Sequence, residues 1–314
     1  MAIKISKTDT CNIPSHCLVK FTEMGNIAEI QYMSRQNKKQ TIKCIGDNKY
    51  IHLETGEVKE FVNHETRAEQ KKSIYRTFAL ARKLINTNLK DVEKVRWITL
   101  TYRENMTDTK QLYDDFRKFH LRFKYYCECQ SYGVPEYIVM MEPQGRGAWH
   151  AHLLYIWETK APYIPNEQLA KLWRQGFTKI TKLENCDNVG AYLTAYLGDM
   201  DLEDMAKQER LGEVLSREDQ GIKQVDMIDE NGQKKTKYFV KGGRLNLYPA
   251  GFRMIRYSKG IKRPIETEIT YAEAKEKVKG ATLTFEKEYE LLDSETDFKS
   301  IISKQEFNLK RKII

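Results

Sequence analysis

YIVMMEPQGRGAWHAHLLY, Tyr137 to Tyr155, is the stretch on which the reading of this chain turns. In an extended chain side chains alternate between faces. His150 and His152 therefore point one way with Ala148 and Leu154, while Trp149, Ala151, Leu153 and Tyr155 point the other. Taken alone, two histidines so spaced also suit plain hydrogen-bonded residues on a half-exposed strand. The run before them, Tyr137 to Glu142, is rich in β-branched, aromatic and Met residues, and Pro143, Gly145 and Gly147 supply turn residues between the two runs. The pattern predicts a hairpin. With its turn centred on Arg146, Glu142 faces His150 across the strands, at the roughly 4.5–5.5 Å typical of Cβ atoms in directly opposed residues. Two neutral imidazoles and one carboxylate on a single face suit a divalent ion, Mg²⁺ or Mn²⁺, with positions left for a substrate oxygen. A slip of one residue in register would turn Glu142 away.

Outward from the hairpin, VRWITLTY (95–102) has the composition of a strand, and Asp108 to Gln130 has the helical spacing of Leu112, Phe116, Phe119, Phe123 and Tyr126. Asn166 to Gln175 predicts a second helix, Gly176 to Leu183 a strand, and Asn188 to Leu197 a third helix with Asp187 as its N-cap. The order β-α-β-β-α-β-α predicts an α+β fold. Its core is a central antiparallel sheet of about five strands with helices on one face, the split β-α-β arrangement, and the hairpin strand lies in its middle. Before this core, alternating runs at Cys17–Phe21, Ile27–Tyr32, Gln40–Ile45 and Tyr50–Phe61 predict a small β-meander, followed by a basic helix, Thr66–Asn88. After it come a charged stretch, a helix at Tyr271–Lys279, a strand near Thr282–Tyr289 and a basic end, Lys310 to Lys312. The expected division is 1–90, an N-terminal β-rich region of no assigned chemistry, 91–200, the core, and 201–314, an α+β extension. Within that extension, 242–264 interleaves Arg244, Arg253, Arg256, Lys259, Lys262 and Arg263 with Tyr248, Phe252 and Tyr257. Bases stack on aromatics and phosphates pair with cations, so this pattern suits single-stranded nucleic acid; a solvated loop is the alternative.

The 314 residues are enough for one large or two modest domains with a proper core. Lys and Arg number 53 against 44 Asp and Glu, a net charge of +9 that favours a polyanionic partner. The six cysteines contain no C-x-x-C pair and form no disulfide framework. No apolar run approaches the roughly 20 residues of a membrane span, and the N-terminus lacks the apolar core of a signal peptide, so a cytoplasmic location without membrane contact is expected. No G-x-x-x-x-G-K-[ST] loop is present, so any duplex unwinding falls to another protein.

In NVGAYLTAYLGD, Tyr192 and Tyr196 stand four apart, on one face of the third helix, among the small residues Ala191, Thr194, Ala195 and Gly198. Core packing explains such a pair as readily as chemistry does. The succession TLTY, RGAWHAHLL, AYLTAYL and YPAGFRMIRYSKGIKRP, in that order over roughly 93–265, resembles the HUH endonucleases that initiate rolling-circle replication of bacterial plasmids and phages, above all the group that includes the filamentous phage gene II proteins. The resemblance implies that His150, His152 and Glu142 bind the metal and that Tyr192 and Tyr196 are the paired nucleophiles, Tyr192 making the first cut. It implies a 5′-phosphotyrosine intermediate, a free 3′-OH that primes host polymerase, and a host helicase. The family's lysine three residues after each tyrosine is replaced by Ala195 and Asp199, and Lys179 or Lys182 on the preceding strand is the expected substitute. An HUH transposase or relaxase is the enzymatic alternative, and an origin- or single-strand-binding regulator the non-enzymatic one; the oligomeric state is left open.

Overall fold

The computed structural model describes residues 3–7, 12–36, 40–62, 65–67, 71–144, 147–183, 188–190, 199–201, 222–228, 234–240, 243–293 and 298–312. The chain forms two compact units, one built from Met1–His64 with Pro264–Ile314 and the other from Glu65–Arg263. In chain order the first unit opens with β1 (Ile3–Lys7), β2 (Leu18–Met24), β3 (Ile27–Met33), β4 (Ile42–Gly46), β5 (Lys49–His52) and β6 (Val58–Glu60). The second contains α1 (Lys71–Asn88), β7 (Val95–Thr101), α2 (Thr109–Cys129), β8 (Glu136–Pro143), β9 (Trp149–Ile156), α3 (Asn166–Trp173), β10 (Thr178–Thr181), β11 (Met200–Asp201), β12 (Ile222–Ile228), β13 (Lys234–Val240) and β14 (Ile255–Tyr257). The chain then returns to the first unit with β15 (Ile265–Thr270), α4 (Tyr271–Lys277), β16 (Ala281–Asp293) and β17 (Phe298–Lys312).

The first unit is a six-stranded antiparallel sheet in the order β1-β16-β17-β3-β2-β15, with β4, β5 and β6 forming a separate three-stranded sheet. Val19, Phe21, Ala28, Ile30 and Phe307 make its core with Ala274 of α4 and Val278, the residue just after it. A capping box, in which Thr270 Oγ1 accepts from the Glu273 N–H and the Glu273 carboxylate accepts from the Thr270 N–H, starts α4. The boundaries expected at residues 90 and 200 thus differ from the observed ones. The N-terminal meander and the C-terminal strands pair with one another, as at Ile302 opposite Met33, while α1 contributes Ala81, Leu84 and Ile85 to the core of the second unit. The end read as merely basic is β17, the partner of both β16 and β3. A strand's alternation shows that it has a buried face but not which distant strand supplies its neighbour.

The second unit is organised by a five-stranded antiparallel sheet, β10-β7-β9-β8-β14, the expected α+β arrangement. β7 and β8 each run antiparallel to β9 and flank it, so the α2 crossover joins two strands with a third inserted between them. Asp108 caps α2 by accepting from the N–H groups of Lys110 and Gln111. The helix lays its aromatic stripe on one face of the sheet. Phe123 stacks on Tyr155 with centroids 4.2 Å apart, and Phe116 meets Tyr137 edge-on at 5.4 Å. Trp173, at the end of α3, packs edge-on against Phe119 and Tyr102, and its indole donates to the Thr101 carbonyl at 3.0 Å. Behind α3 the chain presses on β7 so closely that a Cβ at Gly176 would lie 2.5 Å from the Thr101 carbonyl oxygen. Among the described residues no helix is long and apolar enough to cross a membrane.

Candidate functional site

Register places the site. In the β8–β9 hairpin Glu142 pairs with His150 and Met140 with His152, while on the other side of β9 Thr101 pairs with His150 and Thr99 with His152. Gly147, at φ 87°, turns the hairpin in a conformation that side chains with a Cβ resist, and its N–H donates to the Gln144 carbonyl at 2.8 Å. Directly paired residues share a face, so two rows cross the sheet. One runs Thr101–His150–Glu142, the next Lys179–Thr99–His152–Met140–Ile255. The residues that face α2 and α3, among them Leu100, Ala151 and Met141, belong to the alternate set. The histidines therefore lie on the face of β9 that α2 and α3 do not cover.

The polar groups on this face interlock. The Glu142 side chain is 6% exposed; one of its oxygens stands 3.4 Å from His152 Nε2, and the Arg244 guanidinium lies against the other. His152 Nδ1 is 3.4 Å from Thr99 Oγ1; with the ring proton on Nε2 it donates to the Glu142 carboxylate, and with the proton on Nδ1, shared with Thr99, Nε2 has a lone pair for a cation. Trp97, one row further along β7, stacks on the His152 ring at 5.4 Å and 18°. Burial pushes the His152 imidazole down to about 4, so it is neutral, with a lone pair to give, at neutral pH.

Among the described residues no group of three His, Cys, Asp or Glu side chains is set close enough to hold a metal ion as it stands. The His150 and His152 rings are 6.1 Å apart at 71°, whereas Glu142 and His152 are already drawn together. Two donors bound to one cation at about 2.1 Å lie roughly 3.0–3.4 Å apart, which the Glu142–His152 separation matches. In kind and in face the three donors suit a divalent ion; Glu142 and His152 have the spacing of two ligands of one ion, while His150 stands farther off.

The other expected site residues are distributed unevenly. Tyr192 and Tyr196 lie outside the described residues, as does Asp187. The described residues just before them, 188–190, are tied to α1: Asn86 accepts from the Gly190 N–H at 2.8 Å and donates to Asn188 Oδ1 at 2.9 Å. Lys179 is exposed and lies in the row of Thr99 and His152. Lys182 follows the end of β10. Of the aromatic residues of segment 242–264, Tyr248 and Phe252 are not open to a stacking base, while Tyr257 is half-buried. Tyr248 and Phe252 are buried against Trp149, and 255–257 form the edge strand β14. Arg256, opposite Val139, belongs to the helix face and holds its guanidinium 3.5 Å above the Tyr113 ring of α2. Lys262 exchanges backbone hydrogen bonds with the Asn88 side chain, and Arg263 donates to Tyr257 Oη at 3.2 Å. Arg253, Lys259, Lys262 and Arg263 are exposed cations. Residues that sequence reasoning did not single out are Trp97 and Thr99, legible in the alternation of VRWITLTY; Arg244 reads in the sequence as one of the basic residues of 242–264, and no local pattern brings it to Glu142.

Residues 95–201 match the model of the replication-associated protein family of ORF2 and the gene II proteins. No curated protein and no solved structure matches the chain.

Proposed function

We propose, from the premise that residues 95–201 match the replication-associated family of ORF2 and the gene II proteins, that this chain starts rolling-circle replication by nicking and rejoining one DNA strand at an origin. The observation that carries the reading is the placement of Glu142, His150 and His152 on one face of the central antiparallel strands, inside the matched segment. Glu142, His150 and His152 would hold a divalent cation, Mg²⁺ or Mn²⁺, which when bound supplies positive charge to the scissile phosphate.

The chain's own groups do the rest. A neutral His152, oriented by Thr99 and Trp97, keeps a nitrogen lone pair turned to the site. Lys179, exposed in the same row, pairs with a backbone phosphate. Tyr192, and in its turn Tyr196, is the nucleophile. The phenol oxygen bonds to phosphorus, the P–O3′ bond breaks, and the phenol's proton ends on the departing 3′ oxygen. The products are a 5′-phosphotyrosine and a free 3′-OH that primes host polymerase, and the retained phosphodiester energy serves rejoining. Host helicase does the unwinding.

A labelled single-stranded origin oligonucleotide incubated with the protein and Mn²⁺ is expected to give a covalent adduct on a denaturing gel. The adduct is lost with EDTA and in the Tyr192→Phe/Tyr196→Phe variant, which still shifts the oligonucleotide on a native gel. A native shift with no adduct under any condition would leave a DNA-binding regulator and end the nickase reading.

A further inference from the structure

Arg244 reaches the site by a route separate from the hairpin. It sits on the short turn Gly243–Leu247, and the residues that follow fasten that turn to the sheet. Tyr248 is fully buried and meets Trp149, the neighbour of His150, edge-on at 5.7 Å. The backbone of 248–250 is bound to that of 65–67: Arg67 N–H donates to the Tyr248 carbonyl at 2.9 Å, Ala250 N–H to the Glu65 carbonyl at 3.0 Å, and Thr66 bridges to Pro249. A rigidly held turn thus delivers a guanidinium to the same carboxylate that stands 3.4 Å from His152. Both side chains are mostly shielded, 19% exposed for Arg244 and 6% for Glu142. A nearly dry carboxylate without a cation is costly, so one is always favoured there. Arg244 lies on one Glu142 oxygen and His152 faces the other, so a divalent ion bound between Glu142 and His152 brings two positive charges close to the guanidinium, and their repulsion loosens its hold on the carboxylate.

We propose that Arg244 is the resident counter-ion of Glu142, surrenders that carboxylate when a divalent cation arrives, and is thereby released to take a phosphodiester oxygen of single-stranded DNA. Arg244 is then a positioning residue whose fork matches a phosphate as well as a carboxylate. Cation and DNA strengthen each other's binding, each removing the obstacle to the other, and the coupling is reciprocal. The inference rests on Glu142, His150 and His152 being the cation's ligands.

The test is equilibrium titration of the full chain with Mn²⁺, followed by the electron paramagnetic resonance of free Mn²⁺, with and without an oligothymidylate. Without DNA, Arg244→Met is expected to bind Mn²⁺ about tenfold more tightly than wild type, within the 5–150-fold span of ordinary coupling. Oligothymidylate is expected to tighten Mn²⁺ binding in the wild type by a similar factor and to lose most of that effect in Arg244→Met. Tryptophan fluorescence reports whether the variant is folded. If it is not, Arg244→Lys, which keeps the charge but not the fork, carries the test with an intermediate affinity. Equal or weaker Mn²⁺ binding by Arg244→Met, while Glu142→Gln and His152→Ala bind weakly, overturns the role of Arg244 and leaves the cation site standing. Wild-type Mn²⁺ affinity in Glu142→Gln and His152→Ala removes the cation site itself.

Discussion

The Glu142–Arg244 contact makes a definite demand on stability in the absence of metal. Glu142→Gln keeps the side chain's shape and removes its charge, leaving the mostly shielded guanidinium of Arg244 without an anion. Breaking a buried ion pair from one side costs about 3–5 kcal/mol. Arg244 retains a fifth of its exposure, so water recovers part of that loss and about 2–4 kcal/mol is expected. Against a domain stability of about 5–15 kcal/mol and a urea slope of about 1–3 kcal/mol/M, the midpoint falls by roughly 1 M or more. The assay is urea unfolding in EDTA followed by tryptophan fluorescence. All four tryptophans, Trp97, Trp149, Trp157 and Trp173, lie in Glu65–Arg263, so the signal reports that unit alone. The companion variants are Arg244→Met and the double variant. An apolar partner for a neutral amide leaves no bare charge, so the double variant is expected to lose less than the two single losses added together, with a coupling of about 2 kcal/mol. Losses that add to within about 0.5 kcal/mol would mean that the two groups do not interact, and the account of the site's electrostatics would fall with them.

Other consequences are as open to measurement. Phe123→Ala removes the ring stacked on Tyr155 in the fully buried layer between α2 and the sheet, with an expected loss of about 3–5 kcal/mol in the same urea assay; a loss under about 1 kcal/mol would show that α2 does not pack there. Lys179→Ala, at an exposed position, should change unfolding by no more than about 1 kcal/mol and weaken single-stranded DNA binding, reducing the slope of log affinity against log salt by about 0.7; an unchanged slope removes Lys179 from the DNA path. Burial pushes the imidazoles of His120 and His152 below the ordinary value, so both stay neutral in the folded chain while the unfolded chain takes up protons below about pH 6.5. The stability that neutral His152 supports is whole above about pH 6.5 and is lost as pH falls towards about 4; His120 acts in the same direction, and His120→Gln should flatten part of the decline in urea midpoints. A steeper decline in the variant would reverse the sign of the argument.

How much of this was legible beforehand depends on the range of the interactions involved. Period-two alternation over 148–155, a turn rich in Gly and Pro, and the helical spacing of Phe116, Phe119 and Phe123 are local signals, and they were enough to predict the hairpin, the opposition of Glu142 and His150, and the antiparallel sheet with helices on one face. The pleat makes side-chain direction a property of position along the strand, and a short turn leaves the register little freedom. Other features needed the folded chain. The pairing of β17 with β3, the use of 255–257 as an edge strand, the burial of Tyr248 and Phe252, and the approach of Arg244 to Glu142 all join residues far apart in sequence. Composition told that 242–264 was basic and aromatic, but the same residues serve a stacking surface or a core. Which of the two they serve is decided by the apolar surface available to cover them, and Trp149 and Tyr113 supply that surface only once β9 and α2 are in place. The sequence alone determined which side chains share a face; tertiary structure decided which faces meet, because hydrophobic burial selects partners by proximity in space and not by order along the chain.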